Sequence, residues 1–414
     1  MPFWFRKAPQ NARLESLVLR THDMRQLKAL YWTSERVAAP TIGVVIMHPR
    51  VDFTHHYAVP RLVDAGFAVL AANSRHVGSE LMAEHEEMVL DLDACVRHLK
   101  EKRGVEKVVL LGSSGGGSLA AFYQAEAGKA AGDRLPRSPG GAPTRFDTAA
   151  LPRADAMVYL TAHLGQGKIL LGAIDPSVVD ETDPLSTNPD LDMYDARNGF
   201  VEPPEWSSYA ADFLERYRAA QVERVSRIDA VARAHIQRHE EAVAESEAQG
   251  FGGRSFEERQ AVMKRRAVET VMVVHRTMAS PAYVDRGIDP SARDYGSLLS
   301  ERPDLMNVTA LGFARTVTPR AWLSTWSGLS SNADLVANVA LIHEPTLIVH
   351  AERDREIHPS DAEALREACA SKDKRKVTIK GARHYLEPEP GERDAPHVEL
   401  AMDVIVPWIQ ERFA

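Results

Sequence analysis

The sequence predicts an α/β protein with a mostly parallel sheet, helices on both faces of that sheet, and a mainly helical insertion that interrupts it. Short apolar runs alternate with helical patterns over residues 1–163 and again over residues 341–414. This alternation is expected where crossover helices join parallel strands. Over residues 164–340 the alternation disappears. We therefore expect one core domain in two parts, with a cap between them.

The strands and helices of the core follow from local patterns. A short run of apolar and β-branched residues predicts a strand, and runs such as residues 42–47 are expected to be covered on both faces. Such runs occur at residues 17–20, 27–32, 42–47, 68–72, 108–111, 156–160, 346–350 and 376–379. Helical patterns lie at residues 57–64, 84–102, 115–127, 361–370 and 398–413.

Two long helices are predicted in the insertion. The first covers residues 205–248 and carries an apolar stripe, and a glycine-rich break follows at residues 250–253. The second begins at Ser255, which has capping-box spacing from Glu258, and runs to about Met278. The stripe is wider than a solvated helix needs. These helices therefore pack either on each other or on a second subunit, and a homodimer is slightly favoured.

Composition argues against several classes of function. The 50 Lys and Arg residues against 58 Asp and Glu residues give a net charge of −8, which disfavours nucleic acids and acidic membranes as partners. Cys95 and Cys369 are the two cysteines, and no apolar signal segment follows residues 1–7. A reduced cytoplasmic protein that binds a small molecule is therefore expected.

The strongest chemical signal lies at residues 112–116. Their sequence, Gly-Ser-Ser-Gly-Gly, fits G-x-S-x-G and lies between a predicted strand and a predicted helix. Such a turn raises the hydroxyl of Ser114 above the sheet and points the helix N-terminus at developing negative charge. We predict Ser114 as a nucleophile, with the Gly115 N–H as one oxyanion donor. A phosphate-binding turn or a plain strand–helix connection would also fit this pattern.

A nucleophilic serine needs a base, and the base needs a carboxylate to orient it. The predicted strand at 346–350 is followed by Asp354, which is our predicted acid, with Glu352 as the alternative. The next predicted strand is followed by His384, the predicted base. Both side chains should reach the carboxyl edge of the sheet, where Ser114 is expected.

The remaining histidines carry weaker signals. His55 and His56 are adjacent, but no second pair has metal-site spacing. Neither a metal nor a cofactor is therefore expected. Structural roles are expected for His76, His163 and His358, with lining of the active-site mouth as the alternative.

The serine, acid and histidine motifs, in their order along the chain, resemble those of the α/β-hydrolase superfamily. The resemblance covers roughly residues 15–163 and 340–414. Residues 350–354, His-Ala-Glu-Arg-Asp, resemble its H-G-x-x-D acid segment, and residues 381–384 resemble its G-x-x-H ending. Residues 47–50, Met-His-Pro-Arg, lie where the family has His-Gly-x. The resemblance implies that the Arg50 N–H is the second oxyanion donor, although proline replaces the usual glycine before it. Residues 73–79 resemble a stretch that is generally structural in the family.

The resemblance implies a serine hydrolase that works through an acyl-enzyme. Few positive charges surround the motifs, so we expect a fairly bulky, largely uncharged carboxylic ester or lactone as substrate. His48 is a candidate for the substrate pocket. Trp322 and Trp326, at i, i+4 spacing, either line that pocket or pack the cap on the core. A C–C bond hydrolase and a non-catalytic ligand-binding protein are the alternative functions.

Overall fold

An eight-stranded sheet forms the centre of the computed structural model, which describes residues 9–414. Residues 1–7, on which the prediction about a signal segment depends, lie outside the described residues. The sheet strands are β1 Ala12–Arg20, β2 Gln26–Ser34, β3 Ile42–His48, β4 Ala68–Asn73, β5 Lys107–Ser113, β6 Ala156–Leu160, β9 Thr346–Ala351 and β10 Lys374–Ile379. A separate pair is β7 Met272–Val273 and β8 Thr316–Val317.

The strand order is β1-β2-β4-β3-β5-β6-β9-β10. Only β2 runs against its neighbours, β1 and β4, and every other pairing in the sheet is parallel. The carboxyl ends of β3, β5, β6, β9 and β10 therefore meet at one edge. This arrangement confirms the predicted fold class.

Helices cover both faces of the sheet and also occur in the segment between β6 and β9. They are α1 Val59–Asp64, α2 His85–Arg97, α3 Gly115–Ala127, α4 Gln166–Ala173, α5 Ala211–Glu247, α6 Phe256–Ala267, α7 Pro303–Met306, α8 Pro319–Ala321, α9 Leu335–Val339, α10 Pro359–Ala368 and α11 Pro396–Phe413. Residues His98–Lys102 and Trp322–Trp326 form π-helical turns. Short 3-10 turns lie at Ala131–Asp133, Pro189–Leu191, Ala196–Asn198, Phe251–Gly253 and Pro281–Tyr283.

The buried strands explain the continuous apolar runs in the sequence. Alternate side chains of a strand point to opposite faces of the sheet. Val45 and Met47 of β3 pack in the layer with α2, α3 and α9. Val44 and Ile46 pack in the layer with α1 and α11. Because both layers are apolar, every position of β3 is buried.

Residues 161–345 lie between β6 and β9 and contain the long helix α5. Its apolar stripe is buried within the chain, where it packs in a third hydrophobic cluster. The stripe residues with the least exposure are Phe213, Tyr217, Val225, Ile228 and Ala232. Packing within the chain therefore accounts for this stripe. The homodimer and the domain boundaries stay predictions.

The second long helix of the insertion is shorter than predicted. Ser255 makes the predicted capping box with Glu258, but α6 ends at Ala267 and does not reach Met278. Val268 has extended backbone, and a few residues later β7 pairs with β8. The segment after Ala267 is rich in valine and threonine, whose β-branched side chains favour extended backbone.

Both cysteines, Cys95 and Cys369, are buried and make no disulfide. Within residues 9–414, no helix combines the length and the apolar character needed to cross a membrane. The cytoplasmic location stays a prediction.

Candidate active site

The turn between β5 and α3 holds Ser114 in a strained conformation. Its φ is 51° and its ψ is −126°, a left-handed region that non-glycine residues rarely adopt. Ser114 accepts the Gly117 N–H at 3.0 Å and donates its own N–H to the Leu160 carbonyl at 3.2 Å. These bonds fix the backbone, so the side chain is set at the edge of the sheet.

Glycines beside Ser114 are required by close backbone packing. A β-carbon on Gly112 would lie 2.6 Å from Gly117 Cα, and one on Gly116 would lie 2.4 Å from the Met47 carbonyl oxygen. Both distances are far below van der Waals contact. Larger residues here would therefore open the turn.

Asp354 follows β9 and is buried. Its Oδ1 accepts the N–H groups of Glu356 at 2.8 Å and Ile357 at 3.0 Å, and its Oδ2 lies 2.8 Å from His384 Nδ1. Burial alone would raise the pKa of Asp354. The attraction of His384 and these hydrogen bonds outweigh burial, so the pKa of the carboxyl lies below its usual 3.8.

His384 lies in the loop after β10, and its Nε2 is 2.9 Å from Ser114 Oγ. Because the Asp354 carboxylate only accepts hydrogen bonds, the ring carries its proton on Nδ1 and the serine hydroxyl can donate to Nε2. Burial would lower the pKa of His384. The charge and hydrogen bond of Asp354 overcome that effect and raise the pKa above 6.5.

Glu352, the alternative acid, has a different place. Its Oε2 accepts the Gly381 N–H at 2.8 Å, at the start of the loop that carries His384. Gly381 itself has a φ of 70°. Glu352 therefore holds the loop, while Asp354 contacts the imidazole. The structure brings together Ser114, Asp354 and His384.

The Arg50 N–H has an acceptor close by in the chain. It donates to His48 Nδ1 at 3.0 Å, and the Val51 N–H donates to the same nitrogen at 3.0 Å. This geometry corrects the predicted oxyanion role of Arg50, because its N–H already has an acceptor. The Arg50 side chain pairs with Glu80 and lies 4.8 Å from the centre of the Trp326 ring.

The two tryptophans take separate roles. Trp322 is buried in the cluster of the insertion and donates from Nε1 to Asp229 Oδ1 of α5 at 2.7 Å. Trp326 lines the cavity above Ser114. Trp322 therefore packs within the cap and does not have the predicted pocket role. Of the two tryptophans, only Trp326 lines the cavity.

A cavity of about 430 Å³ opens above Ser114. Its polar wall includes His48, His163, Gln166 and Glu356, together with His384. Most of its apolar wall comes from the insertion, which contributes Ile169, Leu298, Leu299, Phe313 and Trp326. Trp326 was a predicted candidate, whereas Gln166 and the other insertion residues come from separate segments without a shared motif, so no local sequence signal identifies them.

A second cavity of about 660 Å³ meets the first beside His384 and is lined by four arginines, Arg302, Arg353, Arg355 and Arg383. Their charges are largely compensated by nearby carboxylates. Asp294 accepts from Arg353 at 2.7 Å and from Arg383 at 2.9 Å. This wall is therefore an ion-pair network, not an unpaired positive surface.

Three further histidines have structural contacts. His56 is buried and accepts the Ala58 N–H on Nδ1, His76 pairs with Glu87, and His358 is the N-cap residue of α10. His163 differs, because it lines the cavity above Ser114. In the described part of the chain, no cluster of three His, Cys, Asp or Glu side chains could hold a metal ion.

A family model described as "Serine aminopeptidase, S33" matches residues 298–391, which include Asp354 and His384. No curated protein sequence matches the chain. Among solved structures, DcsB in complex with its substrate analogue is 15% identical with a TM-score of 0.48, and the match covers 96% of this chain and 99% of DcsB.

A hypothetical protein from Pseudomonas aeruginosa is 13% identical over 99% of this chain and 96% of that one, with a TM-score of 0.48. An esterase domain from Rhodothermus marinus is 12% identical over 96% and 98%, with a TM-score of 0.44. The sheet order and the strained serine turn at its edge give this chain an α/β-hydrolase fold, and the family match lies over the part of the chain that carries Asp354 and His384.

Proposed function

We propose that the protein hydrolyses a carboxylic ester or lactone of a fairly bulky, largely uncharged small molecule. One observation carries this proposal. Ser114, His384 and Asp354 form a continuous chain of hydrogen bonds, 2.9 Å and 2.8 Å long, at the base of the cavity. This order of nucleophile, base and carboxylate is suited to acyl transfer.

The proposed mechanism has two steps. His384 Nε2 takes the proton of Ser114 Oγ, which forms a bond to the substrate carbonyl carbon. The tetrahedral intermediate collapses when the leaving oxygen takes that proton from His384, which leaves an acyl-enzyme. Water then attacks the acyl carbon with the same proton relay and releases the acid. Asp354 holds the imidazole tautomer and stabilises its positive charge.

Shape and polarity of the cavity support the substrate class. Its volume of about 430 Å³ lies within the range of about 300–1,000 Å³ that is usual for small-molecule sites. The wall from the insertion is apolar, and the charge of Arg50 is paired with Glu80. An apolar acyl or alcohol group would therefore be favoured over a free anion.

Labelling with a fluorophosphonate probe tests the nucleophile. The wild-type protein should be labelled, and Ser114→Ala should not be. Ser113→Ala is the matched control, because Ser113 is the adjacent serine and is buried at the end of β5. Equal labelling of wild type and Ser114→Ala would remove the basis of the proposal.

A panel of nitrophenyl esters of increasing chain length tests the substrate class. We expect turnover to increase with chain length until the cavity is filled. Intact labelling without turnover of any ester would favour cleavage of a C–C bond beside a ketone, which needs the same triad. Absence of both labelling and turnover would favour a non-catalytic ligand-binding protein.

A second candidate is cleavage of an amide beside a free amino group. The match to the serine aminopeptidase model supports it, together with Glu356. That carboxylate lines the cavity, accepts from the Tyr283 hydroxyl with Oε1, and has no partner for the buried Oε2 within residues 9–414. Turnover of aminoacyl nitroanilides in preference to nitrophenyl esters would select this candidate.

A further inference from the structure

Three side chains converge on the face of Gly115 that lacks a β-carbon. A β-carbon on this glycine would lie 2.9 Å from His48 Nε2, 3.0 Å from His163 Nε2 and 2.8 Å from Gln166 Nε2. In an α-helix, both the N–H and the Cα–Cβ direction point toward the N-terminus. The three nitrogens therefore converge at the N-terminal end of α3, and their residues line the same cavity as Ser114.

The His48 ring has a defined tautomer. Its Nδ1 accepts two backbone N–H groups, from Arg50 and Val51, at 3.0 Å each. A nitrogen that accepts cannot carry a proton, so the neutral ring carries its hydrogen on Nε2. Burial and the nearby charge of Arg50 hold the pKa of His48 well below 6.5, so the ring is neutral.

His163 is arranged in the same way. Its Nδ1 accepts the Gly165 N–H at 3.1 Å, which leaves the hydrogen on Nε2. Burial, with a smaller effect of His384, lowers the pKa of His163 to about 3. Two neutral N–H donors, one at the carboxyl end of β3 and one in the loop after β6, therefore lie beside the same space.

Gln166 adds an independent observation that this space binds a polar atom. Its side chain is 3% exposed and lines the cavity. The amide lies beside His85, yet neither of its polar atoms has hydrogen-bonding geometry to a partner in the part of the chain that the structure describes. A buried amide without partners is costly unless a ligand satisfies it.

We propose that the Nε2–H groups of His48 and His163, beside the Gly115 N–H, donate to the oxyanion that forms when Ser114 attacks a carbonyl. The two imidazoles supply the second oxyanion donor, which was predicted to be the Arg50 N–H, and the Gln166 amide is a further donor. This inference rests on the proposed hydrolase function. Such donors are oriented before the reaction by backbone contacts, and this preorganisation makes oxyanion stabilisation effective.

The test compares His48→Ala and His163→Ala with wild type on the best nitrophenyl ester. An oxyanion donor acts in the transition state, so each variant should lose about 10²–10³-fold in kcat, with KM changed by less than about threefold. Binding of phenylboronic acid, which forms a tetrahedral adduct with serine, should weaken in parallel.

His163→Gln separates donation from packing, because the glutamine Nε2 can replace the ring Nε2 as donor. We expect His163→Gln to keep kcat within about tenfold of wild type. His56→Ala is the matched control. His56 is also buried with Nδ1 accepting a backbone N–H, but it does not line the cavity. Its kcat should stay close to that of wild type.

Two results would overturn this assignment. One is kcat within about threefold of wild type in both alanine variants, and the other is a glutamine variant as impaired as His163→Ala. If either occurs while the probe still labels Ser114, the oxyanion assignment fails and the proposed hydrolase function stands. If Ser114-dependent labelling is absent from the wild-type protein, both fail together.

Discussion

Asp354 Oδ2 lies 2.8 Å from His384 Nδ1, and both side chains are at most 1% exposed. Each charge would be unfavourable in this buried place by itself, because burial penalises the ionised form. The contact with His384 and the two N–H groups that donate to Asp354 Oδ1 together keep the Asp354 carboxylate ionised. It also directs the other ring nitrogen, Nε2, at Ser114.

Replacing Asp354 by asparagine should lower kcat by about 10³–10⁴-fold. The amide nitrogen would donate to Nδ1, and the ring would then carry its hydrogen on the nitrogen that must accept from Ser114. Steady-state kinetics on a nitrophenyl ester measures the loss. Glu352→Gln is the control, because a glutamine can still accept the Gly381 N–H, and its kcat should remain close to that of wild type. Equal losses in the two variants would contradict the assignment of Asp354.

Activity should depend on pH through His384. The base must be neutral to accept the serine proton, and Asp354 raises its pKa above 6.5 in spite of burial. The value of kcat/KM should therefore fall as the pH decreases through a midpoint above 6.5. In Asp354→Asn the midpoint should move to lower pH, because burial is then no longer opposed. A pH profile of kcat/KM for both proteins checks this, and a wild-type midpoint below 6.5 would contradict it.

Conservative substitutions should distinguish the structural role of Trp322 from the role of Trp326 in the cavity wall. Trp322→Phe leaves the buried carboxylate of Asp229 without its indole donor, so the free energy of unfolding should fall by about 1–3 kcal/mol. Trp326→Phe removes part of the cavity wall and should change KM for bulky esters by severalfold. Urea denaturation and ester kinetics on both variants measure these effects. The opposite pattern would contradict the separate roles.

Arg75, in the stretch that resembles a structural motif, compensates two carboxylates. Its Nε donates to Asp91 Oδ1 at 2.8 Å and its Nη1 to Asp23 Oδ2 at 2.6 Å. Burial raises the pKa of Asp91 even beside this arginine. Arg75→Met would leave that carboxyl without compensation and should reduce the free energy of unfolding by about 3–5 kcal/mol.

Urea denaturation measures that loss, and Arg36→Met is its control, because Arg36 is exposed. The control should change the free energy of unfolding by less than about 0.5 kcal/mol. A loss of similar size in both variants would mean that the buried ion pairs of Arg75 do not account for its effect.

The core was predictable because its signals are local. A strand covered on both faces must be apolar throughout, and β6 and α3 have the predicted bounds for that reason. Ser114 was identifiable because a sharp turn with close backbone contacts requires glycines around it. In the insertion, the spacing of apolar residues predicted a helix that continues to Met278. The helix α6 ends at Ala267 because the β-branched residues that follow favour extended backbone.

Local sequence patterns predicted the strands of the sheet and the chain order of Ser114, Asp354 and His384. Each of these residues follows its own strand, and parallel strands bring their carboxyl ends to one edge. Which side chains lie beside Gly115 depends on the tertiary structure. The Arg50 N–H donates to His48 Nδ1, and the His163 side chain reaches the space beside Gly115 from the loop after β6. Hydrogen-bond direction and the meeting of distant loops depend on three-dimensional packing, which no local pattern of residues encodes.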